Sequence, residues 1–177
     1  MIETTSDLAF EALSIAGVDR LGGALAARLR PGDVIALSGP LGAGKTTLAR
    51  AVIAAAAGVA AAPSPTFAIA ASYPTPDFDL WHFDVYRLAE PADVWEAGLE
   101  IALDGGVSII EWAERIAPLL PSRTLIVRLD PVDGPNAASD AGLDKLAAER
   151  RRVVMRASDE WGPRLAGLNC AAINAAS

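Results

Sequence analysis

The chain has 177 residues, 52% of them hydrophobic, a formal net charge of −7 and a single cysteine, which is enough chain to bury a core and little for two independent domains. No uninterrupted apolar run approaches the roughly 20 residues a membrane helix needs, and the acidic balance opposes unaided binding to a polyanion, since nucleic-acid affinity comes largely from lysine and arginine meeting phosphates. Cys170 cannot form an internal disulfide and the first residues carry acids, Glu3 and Asp7, where a secretory leader would be basic, so one cytoplasmic domain over residues 1–177, with no membrane segment, is the expectation.

Apolar residues at Leu21, Ala24, Leu25, Ala27 and Leu29 approximate one helical face, which Pro31-Gly32-Asp33 ends. Val34-Ile35-Ala36-Leu37 is a short apolar run with β-branched members, as a central strand covered on both faces requires. Residues 39–44 then read as a loop, and 45–57 as a helix of strong helix formers stopping at Gly58. Pro63-Ser64-Pro65-Thr66 reads as a rigid, extended loop, because each proline pushes its predecessor out of the helical region. Residues 67–73 and 80–86 predict two strands paired antiparallel across a turn, and 91–99 a short helix with proline in its first turn. Val107-Ser108-Ile109-Ile110 returns to a buried strand with Glu111 at its end, 124–129 and 152–156 follow as strands, and 161–168 closes as a helix. The order predicts an α/β, three-layer fold with a mixed, mostly parallel central sheet flanked by helices.

The segment Gly39-Pro40-Leu41-Gly42-Ala43-Gly44-Lys45-Thr46, between that strand and that helix, carries the chemistry and makes the expected α/β fold P-loop NTPase-like. Phosphate oxygens need many donors converging on a small volume, which bare backbone amides can supply and crowded side chains cannot. Gly39, Gly42 and Gly44 permit the bends, the helix points its positive end at the anion, Lys45 reaches the outer phosphates and Thr46 offers a hydroxyl to Mg²⁺. Leu41, Ala43 and Thr47 complete the cofactor-binding set, with ATP as the expected cofactor.

A magnesium site wants a carboxylate at the end of a strand beside the phosphate loop. Glu111 and Asp84 both follow apolar runs; Glu111 is the favoured candidate, with a solvated strand-end acid as the plain alternative for each. Thr66 is a candidate switch-loop hydroxyl or a turn-stabilising threonine. His82, inside a predicted strand, reads first as a packed or hydrogen-bonded residue rather than a catalyst. Trp112 either covers a nucleotide or packs.

Taken together, Leu41-Gly42-Ala43-Gly44-Lys45-Thr46-Thr47, Ser64-Pro65-Thr66-Phe67, His82-Phe83-Asp84-Val85-Tyr86-Arg87-Leu88 and Glu111-Trp112 resemble the TsaE family, in the family's order and over residues 31–129. The resemblance implies an ATPase needed for making threonylcarbamoyladenosine in tRNA, working with a TsaB–TsaD complex in which TsaD transfers the threonylcarbamoyl group. The chain would then meet tRNA only through its partners. It implies phosphate and metal roles for Lys45 and Thr46, a switch-loop place for Thr66, magnesium or water positioning for Glu111, and a catalytic or partner-facing role for Asp84. Pro40 departs from the acidic residue of many relatives and lacks a backbone donor; the connection from Asp130 to Arg151 matches no pattern.

Two other readings stay open. Asp84-Val85-Tyr86-Arg87 also resembles the Asp-x-x-Arg acceptor site of a small-molecule kinase, and a nucleotide-dependent binding module would use ATP to order residues 63–67 without significant turnover. Self-association is left open by the sequence.

Overall fold

The computed structural model describes residues 6–60, 65, 68–132, 150–169, 171 and 173. In chain order these form β1 (Ser6–Leu13), α1 (Ile15–Ala26), β2 (Val34–Ser38), α2 (Lys45–Ala57), β3 (Ala70–Pro74), β4 (Asp79–Asp84), α3 (Leu99–Leu103), β5 (Val107–Glu111), β6 (Leu125–Pro131), β7 (Arg151–Ala157) and α4 (Gly162–Leu165), with 3₁₀ turns at Pro91–Val94 and Ala113–Leu119. The strands make one seven-stranded sheet in the order β1-β7-β6-β2-β5-β4-β3. Its middle four, β6, β2, β5 and β4, are parallel, and antiparallel pairing is confined to the edges, where β3 joins β4 and β7 lies between β6 and β1. This is the mixed, mostly parallel α/β sheet expected.

Side-chain parity explains the layers. Along β2, Ile35 and Leu37 enter one core with Leu21 and Leu25 of α1 and Leu48 and Val52 of α2. Val34 and Ala36 enter a second core with Leu99 of α3 and Ile116. A strand covered on both faces reads as a continuous apolar run because successive side chains point to opposite sides. In β4, Leu80 lies in the α2-side core and Phe83 in the other; by the same alternation His82 and Asp84 share the face of Leu80. In β5, Ile109 faces α2 and Ile110 faces away, which gives Glu111 to the α2 side.

Several boundaries differ from expectation. α1 starts at Ile15, where the Ser14 hydroxyl accepts the Gly17 amide at 3.1 Å, and stops at Ala26 instead of continuing to Leu29; the cap at Ser14 outweighs the glycines that obscure the pattern before Leu21. The helix expected over 91–99 is one 3₁₀ turn at Pro91–Val94, with Glu90 and Asp93 capping each other's backbone, and α3 begins only beyond Gly98. The closing helix is a single turn, Gly162–Leu165, anchored by Arg164 donating to both carboxylate oxygens of Asp33 at 2.6 and 2.8 Å. β1 escaped the sequence because it is a charged edge: Asp7 and Glu11 pair with Arg156 and Arg152 of β7 on the outer surface, masking the alternation. The expected strand over 67–73 begins at Ala70, while Phe67 and the Cys170 thiol lie outside the described residues.

Candidate functional site

In a sheet with helices on both faces, ligands gather outside the carboxyl ends of the strands where the strand order reverses. Here that place is the end of β2, flanked by β5 and β6, and residues 39–44 lead from it into α2. Gly39 has φ +131°, and a Cβ there would stand 2.0 Å from the Leu129 carbonyl oxygen; only glycine lets the loop leave the sheet so close to β6. The Ala43 amide donates to the Pro40 carbonyl at 3.2 Å, closing the turn. Gly44 caps α2 without a side chain. The first amides of a helix have no intrahelical acceptor, so α2 presents donors and the positive end of its dipole at the loop, an arrangement suited to an anion.

Lys45 folds back along this loop. It is only 4% exposed, its Nζ donates to the carbonyls of Gly39 at 2.7 Å and Pro40 at 2.9 Å, and the ammonium stands 3.5 Å from the centre of the Trp112 ring, a cation–π contact. Burial holds its pKa below the ordinary 10.5, against the opposing pull of Glu114, Glu111 and Asp84. Trp112 has φ +61°, the one left-handed non-glycine among the described residues, a conformation costing about 1–2 kcal/mol. Its ring also lies 4.7 Å from that of Tyr86.

At the top of α2 the Thr46 hydroxyl donates to Glu111 Oε2 at 2.6 Å. Glu111 is 1% exposed, and its other oxygen lies 2.9 Å from His82 Nε2. Asp84 is the cross-strand partner of Glu111 and accepts the Tyr86 amide at 3.1 Å. Hydroxyl, two carboxylates, imidazole and ammonium, drawn from β4, β5 and the start of α2, thus converge where the loop opens.

Of the residues singled out from sequence, Gly39, Gly42, Ala43, Gly44, Lys45 and Thr46 form the loop and helix start, and Glu111, Asp84 and Trp112 flank it. Leu41 stands at the loop's tip, 84% exposed. Thr47 lines a cavity of about 190 Å³ beside the loop, together with Ile15, Val18, Gly42, Gly44 and Arg151. Thr66 lies outside the described residues. His82 is the packed, hydrogen-bonded residue expected, its inward parity bringing it to Glu111, while sequence reasoning missed Glu114, whose charge acts on Lys45, and Arg151, whose guanidinium donates to the Gly42 carbonyl at 3.3 Å. The spacing of Glu114, three residues past Glu111, carried a signal; the cross-sheet reach of Arg151 carried none. Arg87 lines a separate surface cavity of about 520 Å³ with Ile69, Leu88, Asp93 and Glu96, and Asp84 is not among its walls.

No helix of the described residues is long and apolar enough to cross a membrane. A loop of this geometry between the central strand and its helix, with strand-end carboxylates beside it, defines the P-loop class of α/β proteins. The family model described as "Threonylcarbamoyl adenosine biosynthesis protein TsaE" matches residues 13–137, and the chain belongs to the TsaE family, which is involved in tRNA threonylcarbamoyladenosine biosynthesis. It is 42% identical over 111 residues to the tRNA threonylcarbamoyladenosine biosynthesis protein TsaE of Rickettsia bellii, a match covering 62% of this chain and 77% of the relative. The protein of the same name from Streptomyces coelicolor is 40% identical over 120 residues, 66% of this chain and 81% of the relative. The crystal structure of YdiB from Bacillus subtilis superposes with a TM-score of 0.67 at 26% identity, over 97% of both chains.

Proposed function

We propose that this chain is an ATPase that binds ATP with Mg²⁺ and hydrolyses it in support of tRNA threonylcarbamoyladenosine formation, acting with TsaB and TsaD in the cytoplasm. The observation that carries this reading is the 2.6 Å contact between the Thr46 hydroxyl and Glu111 Oε2. Thr46 follows the loop lysine, and Glu111 ends the strand hydrogen-bonded to β2. A hydroxyl and a carboxylate held together at that position are the hard oxygen donors that suit Mg²⁺. Among the described residues no group of three or more His, Cys, Asp or Glu could cage a metal, and Mg²⁺ needs none, because it binds through one or two protein oxygens together with phosphate and water. Thr46 and Glu111 would hold the ion, which neutralises phosphate charge when bound.

The rest follows from the chain's own groups. Amides of residues 42 and 44–46 take the phosphate oxygens, and the Lys45 ammonium, already against the loop, supplies the cationic partner. Leu41 and Thr47 extend the nucleotide-binding set, and the Trp112 ring covers its edge. Asp84 and Glu111 orient water for attack, with Thr66 contributing the switch-loop hydroxyl. Family membership and the motif order support the partnership with TsaB and TsaD; the net charge of −7 agrees with tRNA being reached only through them.

Equilibrium dialysis of the protein against ATP and Mg²⁺, beside reconstitution of threonylcarbamoyladenosine formation with TsaB, TsaD and tRNA, tests this. Wild-type protein retains nucleotide and supports modification, and Lys45→Ala loses both. Failure of the wild type to retain adenine nucleotide in excess Mg²⁺ refutes the reading. Glu111→Ala distinguishes turnover from docking: loss of hydrolysis with intact ATP-dependent partner binding shows that the two are separable.

A further inference from the structure

We propose that His82 is a positioning residue for Glu111, clamping one carboxylate oxygen so that the other stays aimed at Thr46 and the metal. This rests on the reading of Glu111 as a metal and water-positioning carboxylate. His82 is the only histidine of the chain and is fully buried. β4 and β5 run parallel with His82 opposite Ile109 and Asp84 opposite Glu111, so His82 lies one rung below the carboxylates on the α2 face. Its Nε2 lies 2.9 Å from Glu111 Oε1.

The ring's other nitrogen decides the tautomer. Among the described residues Nδ1 is buried with no hydrogen-bond partner; a hydrogen placed there would be an orphaned donor and would leave the Nε2 lone pair facing a Glu111 oxygen at 2.9 Å, two losses against the single orphaned lone pair of the other tautomer. The hydrogen therefore sits on Nε2 and is donated to Glu111. Among the described residues the donors to this carboxylate are Thr46 Oγ1 on Oε2 and His82 Nε2 on Oε1. When the Thr46 hydroxyl turns to the metal, His82 is the donor that remains, and Glu111 cannot swing without abandoning it. A histidine kept only for packing would have no need to point its donor at the strand-end acid, and a leucine would fill the same space without orphaning Nδ1. Hydrogen bonds from such outer groups fix the orientation of carboxylates that touch a metal, and their loss typically lowers metal affinity or activity roughly 10–100-fold.

Two measurements test the clamp. Because there is one imidazole, ¹⁵N-histidine labelling gives an unambiguous spectrum of the nucleotide-free protein. The hydrogen is expected on Nε2, protected from exchange, and Glu111→Ala is expected to shift that signal and remove the protection; a hydrogen on Nδ1, or a signal indifferent to Glu111→Ala, overturns the proposal. The second measurement titrates Mg²⁺ against binding and turnover of a fluorescent ATP analogue in His82→Leu and His82→Gln, with thermal melts of both. His82→Leu is expected to raise the apparent Mg²⁺ constant about 10–100-fold while metal-free nucleotide affinity holds, and His82→Gln, whose amide nitrogen reaches the place of Nε2, to recover most of the metal affinity. If His82→Leu and His82→Gln give the same metal dependence at equal melting temperature, the proposal fails while the nucleotide reading stands. Wild-type protein that binds no ATP sinks the nucleotide reading and the proposal with it.

Discussion

Replacing Gly39 by alanine and Gly42 by alanine puts the same methyl group at two glycines of one loop with very different consequences. At Gly39 the backbone has φ +131°, and the new Cβ would lie 2.0 Å from the Leu129 carbonyl oxygen and 3.1 Å from its carbon. That carbonyl belongs to β6, which is paired on both sides, to β2 and to β7, so it cannot retreat as a side chain would. Backbone strain of about 1–3 kcal/mol adds to an overpacking cost of about 1–3 kcal/mol, giving roughly 2–6 kcal/mol out of a total stability on the order of 5–15 kcal/mol. At Gly42, φ is +76° and nothing lies within 4 Å of the added atom, leaving only the left-handed penalty of about 1–2 kcal/mol. For a chain of this length each kcal/mol lowers the melting temperature by about 2–4 °C. Urea and thermal unfolding followed by circular dichroism should place Gly39→Ala several degrees below Gly42→Ala, with nucleotide binding lost in step because relief of the clash displaces the loop amides. If Gly42→Ala is as destabilised as Gly39→Ala, the loop does not pack against β6 as described and the calculation is wrong.

Thr46→Val keeps the shape of the side chain and removes the hydroxyl donated to Glu111; Mg²⁺-dependent ATP affinity should fall at least tenfold, with Thr46→Ser near wild type, measured by isothermal titration at fixed Mg²⁺. Lys45→Met removes an ammonium whose pKa burial holds below 10.5. Because the unfolded chain binds that proton more tightly, wild-type stability should gain on the variant as pH rises from the depressed folded value towards 10.5; a stability difference that is flat or shrinking in urea melts over that window contradicts the burial argument. Arg164→Met strands the carboxylate of Asp33 in a setting where the pair's side chains are 8% and 5% exposed. It should cost about 3–5 kcal/mol, and pairing it with Asp33→Asn should give less than the sum in a double-mutant cycle.

The phosphate loop was legible because its requirements are local: glycines that bend, a lysine and a hydroxyl at the start of a helix, and an apolar strand immediately before. Glu111 was legible for a related reason, since a carboxylate ending a continuous apolar run must emerge at the sheet's edge. What could not be read was strand order beyond the antiparallel pairing of β3 with β4. Nothing in the local pattern of Asp79–Asp84 tells that β4 lies next to β5, yet that adjacency alone makes Glu111 the hydrogen-bond partner of His82. The contact of Arg151 with Gly42 across 109 residues is of the same kind. Helix ends failed for another reason: at α1, α3 and α4 a cap or one glycine decides the boundary, and alanine-rich flanks carry too little periodicity to show it.

For an acidic chain proposed to bind ATP, the local geometry of the site offsets the like charge of chain and ligand. The net charge of −7 is spread over the surface, where interactions beyond about 8 Å are largely screened at physiological ionic strength. A phosphate chain at the start of α2 would instead meet amides at hydrogen-bond range, and hydrogen bonds to a charged group contribute about 1.5–3 kcal/mol each. The nearby carboxylates, Glu111, Asp84 and Glu114, all act on Lys45 and would repel the same phosphates if left alone. Their presence would weaken bare phosphate binding and favour metal-neutralised binding, so the proposed ATPase should draw Mg²⁺ dependence from the acidity around the loop. It follows that Glu111→Gln should strengthen metal-free nucleotide binding while weakening the magnesium-dependent increment. A loss of both in the same proportion would mean that Glu111 only supports the fold of the loop.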